Sequence, residues 1–279
     1  MNLKIKKFPA FIFLIALSFF ISCNLATDPG DQEDAQPEPI EGKILFKVHE
    51  AHKEYDCNCE PSIVLSMATE IWYPYCSNSI VNEIIQTGNT IDVKVSGIYE
   101  PPLGLPAFGP ATARKFLNLA EGRYYLNFIY RWMMDRYEVF VKKSSIEVTG
   151  FVSLFTKFTE PEFEVFWRYP RNSFVYLCGT MTETSWIGDD FLSVLLSEVN
   201  LEEFKFPDYG EICYPRSSQG HYYDMPARYF IYKSEEDFDK AGEILKSYNE
   251  SVISSYSGVG ISLTNWKNKY FYSWLFASR

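Results

Sequence analysis

Tyr124-Tyr125-Leu126-Asn127-Phe128 and, after a short connection over 131–135, Tyr137-Glu138-Val139-Phe140-Val141 set a period of two in this chain. Tyr124, Leu126 and Phe128 fall on one side, with Tyr125 and Asn127 on the other. Tyr137, Val139 and Val141 then alternate with Glu138 and Phe140. Successive side chains of a strand point to opposite faces, so the pattern buries one face and solvates the other. Working outward, Ile91, Val93 and Val95 alternate with Asp92, Lys94 and Ser96, and Ile146 and Val148 make one more short strand. Residues 62–69 and 80–86 read as strands flanking a Trp72-Tyr73-Pro74-Tyr75 turn. Six or seven short strands without a convincing helix predict an antiparallel sandwich over residues 42–150.

Leu119-Ala120-Glu121-Gly122-Arg123-Tyr124-Tyr125-Leu126 resembles the tyrosine corner of immunoglobulin-like domains. There a Tyr hydroxyl bonds back to upstream backbone and pins a strand crossing. The resemblance implies an all-β immunoglobulin-like sandwich, and it implies nothing about activity. Leu126 stands where antibody-type domains carry a cysteine, so their inter-sheet disulfide is absent at that position.

Residues 151–279 read differently. Strands are predicted over 163–169 and 173–178, around a Tyr169-Pro170-Arg171-Asn172 turn, and again over 201–206 and 227–233. A helix over 189–199 carries Phe191, Val194, Leu195 and Val199 on one side. Ser234-Glu235-Glu236-Asp237 is a near capping box, opening a helix to 252 with Phe238, Ala241, Leu245, Tyr248 and Val252 at three-four spacing. A closing strand pair, 259–264 and 270–276, follows. This order resembles a ferredoxin-like or related α+β domain, which gives a two-domain expectation.

The N-terminus supplies an address. Lys4, Lys6 and Lys7 precede an apolar run from Phe8 to Ile21 that ends in Ser22-Cys23. The run is shorter than the roughly 20 residues a spanning helix needs. The order resembles a bacterial lipoprotein signal, which implies removal of residues 1–22 and acylation of Cys23. Residues 23–41 are acidic (Asp28, Asp31, Glu33, Asp34, Glu38), with three prolines, and read as a flexible tether. In the Bacteroidota such acidic residues resemble a signal for the outer face of the outer membrane; a solubilising spacer is the other reading. The chain has 26 basic against 36 acidic residues, net −10. Without the three signal lysines it has 23 against 36, or −13. That excludes a basic nucleic-acid footprint and predicts a folded part held off anionic headgroups.

Several constellations bear on chemistry. With Cys23 lipidated, Cys57, Cys59, Cys76, Cys178 and Cys213 remain. The expected pairs are Cys57 or Cys59 with Cys76, and Cys178 with Cys213. His49-Glu50-Ala51-His52 with Asp56, Cys57 and Cys59 gathers metal-ligating types, but at neither zincin nor zinc-finger spacing, so no metal is assigned. The stretch 207–226 holds Glu211, Cys213, Arg216, Ser217, Ser218, His221, Tyr222, Tyr223 and Asp224. Its length suits a functional loop, in which a Cys213–His221 pair would be nucleophile and base; the favoured reading is a disulfide-stapled surface loop with aromatics tucked under it. Gly258-Val259-Gly260 precedes a strand and lacks the helix a phosphate site needs, and no cofactor is implied. Aromatics make up 18% of the chain, enough for a stacking surface or simply a β-rich core. Trp72, Tyr73, Tyr75, Trp132 and Trp266, all at predicted turns, are the candidates for binding a glycan or protein partner. The expectation is a lipid-anchored cell-envelope binding module. The alternatives are a hydrolase with its site in 207–226 and a purely structural envelope-assembly protein.

Overall fold

All of the alternating strands enter one sheet. The structure is a computed structural model that describes residues 36–54, 58–102, 107–159, 164–218 and 223–276. Ten strands lie in its first part: β1 (Ile44–Ala51), β2 (Ser62–Tyr73), β3 (Ser79–Thr87), β4 (Thr90–Tyr99), β5 (Gly109–Leu117), β6 (Gly122–Tyr130), β7 (Met133–Val141), β8 (Ser145–Val152), β9 (Thr156–Phe158) and β10 (Val165–Trp167). They form a single mixed sheet in the order β10-β8-β7-β6-β4-β3-β5-β2-β1-β9.

The sheet curls on itself into a half-barrel. Phe46 of β1 meets Phe128 of β6 and Tyr137 of β7, each at 4.7 Å between ring centres, although these strands lie far apart in sheet order. Ile91, Val93, Leu126, Phe128, Tyr137 and Val139 all bury against this one enclosed core. Register shifts at Ala68/Trp72, Val81/Asn82 and Arg136/Tyr137 add the local twist that bends a sheet.

The curl is sealed at one corner. Only residues 153–155 join β8, near one edge, to β9, which is the other edge. Asp135, fully buried on β7, holds that link. Its carboxylate accepts from the backbone N–H groups of Leu154 (2.7 Å), Phe155 (3.0 Å) and Thr156 (2.7 Å), and from the Thr156 hydroxyl (2.6 Å). Tyr137 and Thr156 share a further hydroxyl bond of 2.7 Å.

A second sheet follows, of β11 (Ser173–Thr180), β12 (Glu202–Phe204), β13 (Tyr223–Asp224), β14 (Arg228–Ile231), β15 (Gly260–Asn265) and β16 (Tyr270–Tyr272). Its order is β12-β14-β11-β15-β16, with β13 also pairing β11. Helices α1 (Trp186–Glu198) and α2 (Glu235–Ser251) cover one face. Asp237 accepts from the Ser234 N–H at 3.0 Å at the start of α2. Gly242 lets α2 approach β16, because a Cβ there would lie 2.5 Å from the Phe271 ring.

The expected fold, an immunoglobulin-like sandwich followed by an α+β ferredoxin-like domain, is therefore corrected. A sandwich needs two facing sheets. Here β4 and β6 pair in parallel, Thr90 with Tyr125 through Val95 with Tyr130, and this keeps all ten strands in one sheet. Tyr124 does donate to the Ala120 carbonyl (3.1 Å), so the corner-like bond exists within a different architecture. In the second sheet β14 and β15 both run antiparallel to central β11, so the parallel central pair of a ferredoxin-like fold is missing.

Candidate functional site

The histidine cluster lies where the two sheets meet. Five residues, 168–172, separate β10 from β11. Glu50, buried at the end of β1, accepts from Arg168 Nε and from the Tyr169 N–H, both at 2.8 Å. His52 Nε2 donates to the Trp266 carbonyl at 2.9 Å, and Arg114 donates to the His52 carbonyl at 3.0 Å. His49 is held on both nitrogens: Nδ1–H donates to the Glu50 carbonyl and Nε2 accepts from the Ser66 hydroxyl, each at 3.0 Å. Burial, with Lys47 nearby, brings its imidazole down to about 3, so the ring is neutral. Burial also lowers His52. Glu50 and His52 tie the first sheet to the segments that lead into the second, while His49 is satisfied within the first. Among the described residues no group of three or more His, Cys, Asp or Glu is placed to hold a metal ion; Asp56 and Cys57 lie outside them.

The 207–226 stretch is stitched to both sheets. Glu211 bonds through its backbone to Val165 and Trp167 of β10 (2.8 Å each), and its carboxylate pairs with Lys47 at 2.8 Å. Tyr214 reaches the other way, its hydroxyl 2.9 Å from that of Ser173 on β11. Cys178 and Cys213 are free thiols, which corrects the expected bond between them. The reason is positional. Cys178 faces α1 within the helix-side core, whereas Cys213 sits near Glu50 and Tyr169 at the junction. Burial pushes the Cys178 thiol up to about 11. Burial and the Glu50 carboxylate push Cys213 well above its ordinary range, so neither is an activated thiolate. Cys59 and Cys76 are disulfide-bonded. His221 and Tyr222, like Cys23, lie outside the described residues.

Of the aromatic candidates, four come to one end of the curled sheet and one does not. Trp72 and Trp132 are exposed there, while Tyr73 and Tyr75 are half-buried. Trp72 belongs to β2 itself, not to a turn. Trp266 is at the opposite end and only 5% exposed, because its hairpin tucks against His52.

A different set forms a continuous surface. On β16 and just beyond it, Tyr270, Tyr272 and Trp274 stack in series: 4.5 Å and 17° between the tyrosines, 4.6 Å and 9° between Tyr272 and Trp274. Phe271, between them in sequence, packs toward α2, so the stacked rings occupy the helix-free face. The cross-strand neighbours of Tyr270 and Tyr272 are Thr264 and Ser262, which set hydroxyls beside the rings. Trp274 is 52% exposed, and Leu275 beyond it is exposed as well. The arrangement suits a flat apolar ligand face with the Thr264 hydroxyl at its margin, Ser262 being buried. The signal was present as aromatics at every second position, 270, 272 and 274, within a segment read only as a strand.

Among the described residues no helix is long and apolar enough to cross a membrane. No protein-family model matches the chain, and comparison with curated proteins and with solved structures finds no match.

Proposed function

We propose that this chain is a lipid-anchored protein of the bacterial cell envelope that binds a glycan on the strip formed by Tyr270, Tyr272 and Trp274. The stacked strip carries the reading: pre-stacked rings present a rigid surface that loses little side-chain entropy on binding. Sugar C–H faces pack on such rings, and the neighbouring half-buried Thr264 hydroxyl suits a bond to a sugar hydroxyl. Among the described residues the raised thiols of Cys178 and Cys213 support no nucleophile, which weighs against hydrolysis at Cys213. The basic n-region, apolar run and Ser22-Cys23 support acylation of Cys23, and the acidic residues behind it support the outer membrane.

Full-length protein in detergent, screened on a glycan array and then titrated with the best glycan, tests the strip. Trp274→Ala is expected to weaken binding about tenfold, or ~1.4 kcal/mol, with an unchanged melting temperature. Equal affinity overturns the assignment, as does an array without any bound glycan. Palmitate labelling lost in Cys23→Ala supports the anchor, and unchanged labelling overturns it.

A further inference from the structure

Exposed apolar side chains collect at one end of the curled sheet. Strands β2 and β6 finish there and β5 and β7 begin there, as the pairings Tyr73 with Gly109 and Tyr130 with Met133 require. Trp132 is 85% exposed at the tip of the β6–β7 hairpin, Phe108 is 73% exposed just before β5, and Trp72 is 60% exposed near the end of β2. Ile71, Met134 and Leu154 are exposed on the same rim. The rim is continuous around the sealed corner: Thr156 pairs with Ile44, which pairs with Thr69, and Lys157 bridges to Glu70 at 2.5 Å.

Glu38 and Ile40 also lie on this rim. Glu38 and Ile98 exchange backbone bonds of 2.9 and 2.8 Å, and the Ile40 N–H donates to the Tyr130 hydroxyl at 2.9 Å. The second sheet joins the opposite end, through Glu50 and His52. Gln36 is 13 residues past Cys23, a reach of at most ~45 Å even if fully extended.

We propose that this rim rests in the interfacial zone of the bilayer that carries the Cys23 lipid, with zwitterionic phospholipid as its occupant; the inference rests on the reading of Cys23 as acylated. Tryptophan and other apolar rings favour the headgroup boundary, and their burial adds to an acyl anchor. Glu38, Glu41 and Glu100 stand at the same end with Lys43, Arg131 and Lys157, so the rim carries charge of both signs and the contact is apolar and not a charge attraction. A tether of this length permits both a raised and a resting position, and the rim selects the resting one.

The test uses full-length acylated protein in phosphatidylcholine vesicles whose acyl chains carry bromine, which quenches nearby indoles. Strong quenching is expected, falling by more than half in Trp72→Phe/Trp132→Phe and unchanged in Trp274→Phe. Chain without acyl label overturns the anchor and the rim contact together. Labelled, vesicle-bound protein that bromine does not quench, or whose quenching ignores the double substitution, overturns the rim contact alone. Rim-to-rim crosslinks between copies in place of quenching assign the surface to a second copy and overturn it too.

Discussion

The two sheets solve the same problem in opposite ways. Each must hide one apolar face. The ten-stranded sheet hides its own by curling until Phe46 meets Phe128 and Tyr137. The second sheet borrows two helices, with Phe238 and Phe191 filling the space over Phe174 and Tyr176. Self-enclosure depends on a seam, here the Asp135 carboxylate and three backbone N–H groups. Helix cover depends on close approach, here α2 against Phe271 across Gly242. The solutions also differ in what they leave outside. On the outer wall of the curled sheet Arg123 lies over Tyr125 and Phe140, which breaks up its apolar surface. The helix-free face of the second sheet keeps an aromatic strip that ends in the exposed Trp274. The curled sheet closes its own seam, and the second sheet, covered by helices on one face and partly by Tyr214 on the other, leaves its β16 margin exposed.

Three perturbations would break or sharpen this contrast. The largest is Asp135→Ala, which leaves several buried N–H groups unpaired and is expected to cost about 3–5 kcal/mol in denaturant unfolding. Hydrogen exchange should rise first in β1, β8 and β9 while β11 and β15 stay protected; uniform exposure would mean the two sheets unfold as one unit. Acid comes next. His49 has a folded value near 3, below its ordinary 6.5, so its stabilisation is complete above about 6.5 and is lost as pH falls towards 3. His52 is shifted the same way. Stability is expected to drop by roughly 2–3 kcal/mol between pH 6.5 and 4, and His49→Gln should flatten that slope. A slope identical in the variant would remove His49 from the account. The smallest effect is Gly242→Ala. The helix gains up to about 1 kcal/mol in propensity, but the methyl meets the Phe271 ring, so a net loss of about 1–2 kcal/mol is expected, confined to the second sheet. A stabilised variant would show that β16 can shift without loss.

The strands were legible in the sequence and their assembly was not. Ile91, Val93 and Val95, like Tyr124, Leu126 and Phe128, announce one buried face, and each is buried. Alternation reports that a face is covered but not by what: a facing sheet and the far side of the same curled sheet leave the same pattern. The parallel β4–β6 pairing, which decides between them, joins segments whose residues carry no mark of their partner. Asp135 read only as part of a connection, because its N–H partners lie about twenty residues on, at 154–156. Among the surface candidates Trp72 and Trp132 are exposed and Trp266 is not, for a related reason. Turn position argued that Trp266 is exposed, yet the turn packs into the junction; the alternating 270, 272 and 274 positions argued for a strand, and the side of that strand without helices was the informative one.

The seam also sets an order of events during synthesis. Ile44 of β1 pairs with Thr156 of β9, more than one hundred residues later in the chain. Until that second segment has emerged, the first strand can zip to β2 but keeps a bare outer edge. Contacts between such distant segments slow folding, because a large loop must close before any bond rewards it. The curled sheet therefore locks only after its ninth strand is available, and until then most of the first part stays open.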